Sequence, residues 1–148
     1  MNLVIGGDHA GFPLKGPLIE ELKQRGHEVR DVGVFGGEQG DFPDIARELC
    51  NALLRGEAER GIMVCGTGVG ASIAANKIPG IRAALCHDLY SAHQCVEHDD
   101  VNVLCLGAQI VGPLMATELA EAFLNARFST EEHFRRRVAK LAEMDKAR

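Results

Sequence analysis

The sequence predicts an α/β fold, a Rossmann-like three-layer sandwich around a mostly parallel sheet of about five strands. Short apolar runs alternate with longer amphipathic stretches along the chain, which is typical of strand–helix units. The length of 148 residues suits one domain spanning residues 1–148, and no internal repeat appears. With 46% hydrophobic and 25% charged residues, the composition is that of a globular protein rather than a disordered or fibrous one.

The spacing of apolar residues predicts each element in turn. Leu3-Val4-Ile5 is the first buried strand, and helical spacing after Gly11 predicts a helix that Gly26 ends as a C-terminal cap. Strands are predicted at residues 3–5, 28–32, 61–65, 81–85 and 101–106, with a glycine-rich loop at 33–40. Further helices are predicted at residues 44–54, 71–76, 89–96 and 114–126, and an amphipathic helix with a basic face within 130–148.

Net charge, cysteine content and the lengths of the apolar runs limit the partners and the cellular location that the sequence allows. The formal net charge of −5 argues against nucleic acid and anionic membrane surfaces. Five cysteines without a Cys-x-x-Cys pair predict reduced thiols and a cytoplasmic protein. No signal peptide is predicted at the N-terminus, and polar residues interrupt every apolar run before the length of about 18 residues that a membrane span needs.

The carboxyl ends of parallel strands form the ligand crevice of such folds, and Cys65 lies at one of them. A thiol before a glycine-rich turn and a helix N-terminus is expected to have a lowered pKa and to form thiolate near neutral pH. Gly66, Gly68 and Gly70 let backbone N–H groups converge on an oxyanion or phosphate. The loop therefore predicts a base beside an oxyanion hole; the alternative is a buried strand-end cysteine next to a tight turn.

Other polar residues near predicted strand ends are Asp8, His9 and His98. Asp8 and His9 follow the first strand, where capping of the next turn is the alternative interpretation. His98 precedes the fifth strand and is a candidate acid–base group. The five-residue separation of His93 and His98 places them on different helix faces, so no metal site is predicted.

Five segments in order resemble the ribose-5-phosphate isomerase B family, which includes galactose-6-phosphate and allose-6-phosphate isomerases. They are Gly-Asp-His-Ala-Gly at 7–11, Cys-Gly-Thr-Gly-Val-Gly at 65–70, Ala-Ala-Asn-Lys at 74–77, Gly-Ile-Arg-Ala at 80–83 and Asn-Val-Leu-Cys-Leu-Gly at 102–107. The resemblance covers nearly the whole chain. It implies aldose–ketose isomerisation through a cis-enediolate without metal or organic cofactor. It also implies a homodimer, or a dimer of dimers, whose sites take residues from both chains and whose C-terminal helix packs on the partner subunit.

The resemblance also implies residue roles. Cys65 matches the general base that moves a proton between C1 and C2 of the open-chain sugar, and Thr67 with the backbone of residues 66–70 would stabilise the enediolate oxygen. His98 matches the histidine that helps to open the sugar ring, with Asp8 in the same crevice. His9 matches a histidine that contacts phosphate.

Several positions depart from that pattern. Gln109 and His133 stand where the family commonly has phosphate-binding arginines, whereas Arg137 with its neighbour Arg136 is kept. Asp99 stands where asparagine is usual, and an added carboxylate favours recognition of hydroxyl groups over phosphate. Phe42 stands where a tyrosine is frequent. These departures lead to the hypothesis that the isomerase reaction is kept while the substrate has shifted.

Interconversion of ribose 5-phosphate and ribulose 5-phosphate is the leading hypothesis. The same reaction on another sugar phosphate, such as allose 6-phosphate, or on a non-phosphorylated sugar is the second. A cysteine phosphatase would need an arginine six positions after Cys65, where Ala71 stands. A non-catalytic sugar-phosphate binding protein is disfavoured because Cys65, Thr67 and His98 are all present.

Overall fold

The computed structural model describes all 148 residues and has one sheet of five parallel strands in the order β2-β1-β3-β5-β4. The strands are β1 (Asn2–Gly7), β2 (Glu28–Asp31), β3 (Arg60–Cys65), β4 (Ala83–Leu85) and β5 (Val103–Gly107). The helices are α1 (Phe12–Gln24), α2 (Phe42–Leu54), α3 (Val69–Ala75), α4 (Leu89–Asp99), α5 (Pro113–Asn125) and α6 (Glu132–Lys146). The predicted α/β fold is therefore confirmed. No helix combines the length and the apolar character that a membrane crossing requires.

Two apolar cores cover the two faces of the sheet and create the three layers. One joins α1, α4 and α5 to the sheet around Leu18, Phe123 and Leu104. The other joins α2 and α3 to the opposite face around Leu49 and Met63. Residues that alternate along a strand face opposite sides, so buried strands such as β1 and β3 are apolar almost throughout.

The strand order fixes where a ligand crevice can form. From β1 the chain moves outward to β2, and β3 then lies on the opposite side of β1. The connections before and after this reversal leave the sheet in different directions, so a gap opens at the carboxyl ends of β1 and β3. Asp8 directly follows β1, and Cys65 is the last residue of β3.

Two predicted boundaries differ in ways that matter for the site. The strand predicted at 81–85 is only Ala83–Leu85, because the backbone N–H of Arg82 donates instead to the Oδ1 atom of Asn102 at 2.8 Å. The helix predicted at 89–96 continues to Asp99 and ends at Asp100, whose φ of 51° is left-handed. His98 therefore lies in the last turn of α4 rather than in a turn before β5.

Helix α6 lies outside the three layers, and none of its residues is buried. Its C-terminal end is held by two hydrogen bonds. The N–H of Gly80 donates to the Oδ2 atom of Asp145 at 2.9 Å, and Arg148 donates to the carbonyl of Asn76 at 2.7 Å. Leu141 and Met144 remain 41% and 65% exposed, so one chain leaves this helix only partly covered.

Candidate active site

The side chains of Asp8 and Cys65 meet at the carboxyl edge of the sheet. The Oδ2 atom of Asp8 accepts from the Cys65 thiol at 3.4 Å, and its Oδ1 atom accepts from the backbone N–H of Gly11 at 2.9 Å. A methyl group on Gly11 would lie 2.1 Å from the carbonyl oxygen of Val64, so only glycine permits this close approach of the loop to β3. Both side chains are buried, at 4% and 9% exposure.

The environment of Cys65 raises the pKa of its thiol. Burial is the largest cause, followed by the charge of Asp8 and the hydrogen bond to it. Hydrogen bonds from the backbone N–H groups of Gly66 and Gly68 act in the opposite direction but are weaker. The expectation of a lowered pKa is therefore wrong for this chain, because desolvation and a neighbouring carboxylate outweigh the backbone donors.

The glycine-rich loop places Thr67 at the surface, two residues after the buried Cys65. Gly68 has a φ of 82°, and a methyl group there would lie 2.6 Å from Leu85 and 3.0 Å from the carbonyl carbon of Leu106. The Thr67 hydroxyl oxygen accepts from the N–H of Val69 at 3.3 Å. Its hydroxyl hydrogen thus remains available to a ligand oxygen.

The side chains of Phe42 and Gln109 pack against the glycine-rich loop. A methyl group on Gly70 would lie 2.9 Å from the Phe42 ring, and one on Gly66 would lie 3.3 Å from the Oε1 atom of Gln109. The backbone N–H of Gln109 also donates to the Gly66 carbonyl at 3.0 Å. His9 is exposed at the start of the loop that holds Asp8. The carboxyl edge thus brings together Asp8, His9, Cys65, Thr67 and the loop glycines.

His98 and Asp99 lie at the amino-terminal edge of the sheet, opposite the carboxyl edge that holds Asp8 and Cys65. Helix α4 starts after the carboxyl end of β4, and its eleven residues carry the chain back about 16 Å to the amino-terminal edge. Arg82, which precedes β4, donates to the carbonyl oxygens of Asp99 and Asp100 at 3.1 and 2.7 Å. Within one chain the structure therefore does not bring His98 to the crevice that holds Asp8 and Cys65.

Helix α6 joins this second group. The His98 ring stacks on Phe134 with a centroid distance of 3.9 Å, and the His133 ring lies 4.0 Å from Phe134. Gln94 fixes the His98 ring through its Nδ1 atom at 2.7 Å. Arg136 and Arg137 are exposed on the same helix, and Arg136 pairs with Glu132 at 2.7 Å. His98, Asp99, His133, Arg136 and Arg137 thus form a separate surface cluster, which we call the α4–α6 cluster.

Two residues that the sequence did not single out are buried or bonded near the crevice. Lys15 is 2% exposed, pairs with Asp31 at 2.8 Å and donates to the carbonyl of Val34, so it ties the loop after β2 to α1. His87 follows β4, and its Nε2 atom accepts from the backbone N–H of Gly107 at 2.9 Å. The signal for His87 was its position after a strand, the same signal that pointed to Asp8. No cluster of histidine, cysteine and carboxylate groups has the arrangement of a metal site.

Comparison with known proteins gives a consistent result. The sequence profile described as Ribose/Galactose Isomerase matches residues 3–141. Ribose-5-phosphate isomerase B of Escherichia coli is 42% identical over 135 residues, which are 91% of each chain. D-erythrulose-4-phosphate isomerase of Pectobacterium atrosepticum is 42% identical over 129 residues, covering 86% of this chain and 85% of that one.

The fold has an equally close counterpart among solved structures. Ribose-5-phosphate isomerase B of Clostridium thermocellum superposes with a TM-score of 0.95 at 44% identity. The superposition covers 99% of both chains, so the sheet, the crevice and helix α6 all have counterparts in that protein.

Proposed function

The chain belongs to the ribose/galactose isomerase family and is an aldose–ketose isomerase; on this premise we propose that it interconverts ribose 5-phosphate and ribulose 5-phosphate. The observation that carries the assignment of the site is the buried contact of 3.4 Å between the Cys65 thiol and Asp8. It supplies a proton carrier and an acceptor for its proton at the one crevice that the strand order opens. Residues 1–148 form a single isomerase domain in this proposal, which needs no metal or organic cofactor and acts in the cytoplasm.

Cys65 is the base in this proposal. The carboxylate of Asp8 takes the thiol hydrogen, and the thiolate removes the hydrogen from C2 of the open-chain aldose. The electron pair moves toward the C1 carbonyl oxygen and gives the cis-enediolate. The hydroxyl hydrogen of the C2 oxygen moves to the C1 oxygen, Cys65 returns its proton to C1, and the C2 oxygen becomes the carbonyl. The Cys65 thiolate then takes its hydrogen back from Asp8, so both groups end as they began. The raised pKa of the thiol explains why an adjacent acceptor is needed to form thiolate.

The glycine-rich loop stabilises two charges in this mechanism. The backbone N–H groups of Gly66 and Gly68 lower the pKa of the Cys65 thiol, so they stabilise its thiolate. The Thr67 hydroxyl, together with the backbone N–H of Gly70, would donate to the enediolate oxygen. Preorganised donors of this kind act on charge that develops during the reaction, so they affect kcat more than KM.

The α4–α6 cluster completes the site from a second copy of the chain. It carries the ring-opening histidine His98, the hydroxyl-binding Asp99 and the cations that would hold phosphate, Arg136 and Arg137 with His133. His9 would contact the phosphate from the first copy. Support comes from the position of His98 at the far edge of its own sheet and from the exposed face of α6. A homodimer, or a dimer of dimers, is therefore the proposed active form.

The assignment is tested by steady-state conversion of ribose 5-phosphate by the wild type and the Cys65→Ala variant. Removal of an acid–base group is expected to lower kcat by about 10³-fold. Calorimetry should show that Cys65→Ala still binds the sugar phosphate, which distinguishes an enzyme from a binding protein. Cys50→Ala is the matched control, because Cys50 is a buried thiol on α2 outside the crevice. Full activity of Cys65→Ala would remove Cys65 from the role of base.

A second candidate substrate is D-erythrulose 4-phosphate. The relatives from Pectobacterium atrosepticum and from Mycolicibacterium smegmatis, 42% and 40% identical, carry that name. The neutral Gln109 at the rim also fits a site that differs from one specialised for ribose 5-phosphate. Parallel assays on ribose 5-phosphate, D-erythrulose 4-phosphate, allose 6-phosphate and free ribose rank these by kcat/KM. Turnover of none of the four would contradict the proposed function.

A further inference from the structure

His87 lies beside the catalytic loop although no substrate role is assigned to it. Its Nε2 atom lies 2.9 Å from the backbone nitrogen of Gly107, and a backbone N–H can only donate. Nε2 must therefore be unprotonated, so the neutral ring carries its hydrogen on Nδ1. This single hydrogen bond fixes both the charge state and the tautomer of His87.

The bond replaces a missing rung of the sheet. Strand β4 pairs with β5 only as far as Leu85, which is opposite Cys105. Beyond that point the chain turns away toward α4, and the N–H of Gly107 on β5 would be buried without a backbone acceptor. The His87 ring occupies the place of the next acceptor on the β4 side. On the other side of β5, Gly107 is paired with Cys65 of β3.

Gly107 supports the catalytic loop directly. A methyl group on Gly107 would lie 2.7 Å from both the carbonyl carbon and the carbonyl oxygen of Thr67. The next residue, Ala108, donates its N–H to the carbonyl of Cys65 at 2.9 Å. Any shift of β5 at Gly107 is therefore passed to the residues on both sides of Gly66.

We propose that His87 is a positioning residue of this isomerase, whose neutral imidazole holds the end of β5 against the loop that carries Cys65 and Thr67. Protonation of His87 replaces its acceptor by a second N–H, which faces the N–H of Gly107 and breaks the bond. The loop then loses its support, and the reaction slows at acidic pH. The kinetic part of this inference rests on the proposed function.

The surroundings of His87 suit such a role. Burial lowers the pKa of His87, and no charged neighbour contributes to the shift. Cys86 and Asp88 are its neighbours along the chain, and Cys65 is the β3 residue paired with Gly107. Asp88 bonds to the N–H of Ser91 as the cap of α4, so its carboxylate is already engaged. His87 therefore remains neutral at pH 7 and becomes charged only in more acidic solution.

The test compares His87→Gln and His87→Phe with the wild type. Glutamine retains an acceptor that does not titrate, so His87→Gln should keep kcat at pH 7.5 within about threefold and shift the acidic limb of the kcat profile down by about one pH unit. Phenylalanine leaves the Gly107 N–H unpaired, so kcat should fall about tenfold while KM changes less than about twofold. His27→Gln is the control, since His27 pairs with Glu121 away from the crevice, and it should keep the wild-type limb.

Nuclear magnetic resonance of the labelled wild-type protein tests the geometry without any substrate. The ring of His87 should show the Nδ1–H tautomer, and the amide signals of Gly107 and Thr67 should titrate with the pKa of His87. An Nε2–H tautomer would overturn the inference, and so would amide signals whose chemical shifts do not change as His87 titrates. An acidic limb that is identical in the wild type and in His87→Gln would overturn it as well. Absence of turnover by the wild type on every sugar would instead contradict the proposed function, while the amide titration would still decide the support of the loop by His87.

Discussion

The Cys65 thiol lies 3.4 Å from the Oδ2 atom of Asp8, and both side chains are almost excluded from water. A carboxylate at this distance disfavours a second negative charge, so it raises the pKa of the thiol. The same carboxylate can accept the thiol hydrogen. In the proposed mechanism Asp8 therefore suppresses free thiolate in the resting protein and provides the acceptor that forms thiolate during turnover.

This double role predicts opposite effects of Asp8→Asn on two measurements. Without the charge of Asp8 and the hydrogen bond to it, the pKa of Cys65 should fall, so iodoacetamide should alkylate the thiol faster at pH 8. Isomerase kcat should nevertheless fall about 100-fold, because asparagine cannot take the thiol hydrogen. The pH dependence of alkylation, with mass spectrometry of the modified peptide, measures the first effect.

Asp44→Asn provides the control for this experiment, because Asp44 is an exposed carboxylate on α2. It should alter neither the alkylation profile nor kcat. The other four cysteines are less exposed than Cys65, so they should not react in the folded protein. A rise in both alkylation rate and kcat in Asp8→Asn would show that Asp8 only inhibits the base.

The proposed completion of the site by two copies predicts complementation between inactive variants. Cys65→Ala and His98→Ala should each be inactive alone, because each removes one half of every site. After unfolding and refolding together in equal amounts, half of the dimers should be hybrids with one intact site of two. The mixture should therefore recover about a quarter of the wild-type activity. The measurement is the specific activity of the refolded mixture against each variant refolded alone.

Recovery of no activity, with hybrid dimers demonstrated by mass spectrometry, would place His98 and Cys65 of one chain in the same site. A double variant carrying both substitutions, mixed with the wild type, serves as the control. If both residues of a site came from one chain, each hybrid would contain one site with both residues substituted and one intact site. Two-copy sites give one hybrid site lacking only Cys65 and another lacking only His98, so hybrids should be inactive.

Sequence reasoning located the strands, the crevice and the Asp8–Cys65 edge, because buried parallel strands have a strong apolar signal and their carboxyl ends share one edge. It could not place His98, because three further residues of α4 decide whether that side chain lies in a turn or at the far edge of the sheet. It also gave the wrong sign for the Cys65 pKa. A strand-end position suggests backbone donors, but burial and the Oδ2 atom of Asp8 become visible only in three dimensions.

Lys15 illustrates a third limit. In the sequence it is an ordinary lysine within a helix, and such side chains are rarely buried. In the structure its ammonium group is enclosed by Asp31, the carbonyl of Val34 and the Phe35 ring at 5.0 Å. These partners come from β2 and the following loop, so no local pattern around Lys15 indicates them.

The cations of α6 predict a change in affinity that depends on the phosphate group. Arg137 is exposed, with its guanidinium carbon 5.9 Å from the Phe134 ring, so it is free to meet a ligand of a second copy. Arg137→Ala should raise KM for the phosphorylated sugar about tenfold or more and leave kcat nearly unchanged, because a charge-assisted contact is lost in ground and transition states alike. Lys140→Ala, an exposed cation on the same helix, should have no such effect. Equal losses of kcat and kcat/KM would argue against a binding role.

Asn76 predicts a measurable effect on stability at the edge of the sheet. Its Oδ1 atom accepts from the N–H of Ala83 at 2.9 Å, and its Nδ2 atom donates to the carbonyl of the same residue at 2.9 Å. The side-chain amide thus pairs with β4 as a neighbouring strand would, which satisfies the free edge of a three-residue strand. Asn76→Ala removes both bonds, and also the bond of 3.0 Å from Nδ2 to the Ser72 carbonyl, and should lower the free energy of unfolding by about 2 kcal/mol. Urea denaturation at one fixed protein concentration measures this change, because an oligomer makes apparent stability depend on concentration.

Asn125→Ala is the control, since Asn125 is exposed at the end of α5 and its contact with Glu121 is 3.4 Å long. An Asn76→Ala midpoint equal to that of Asn125→Ala would mean that the amide contributes nothing net to the edge of the sheet.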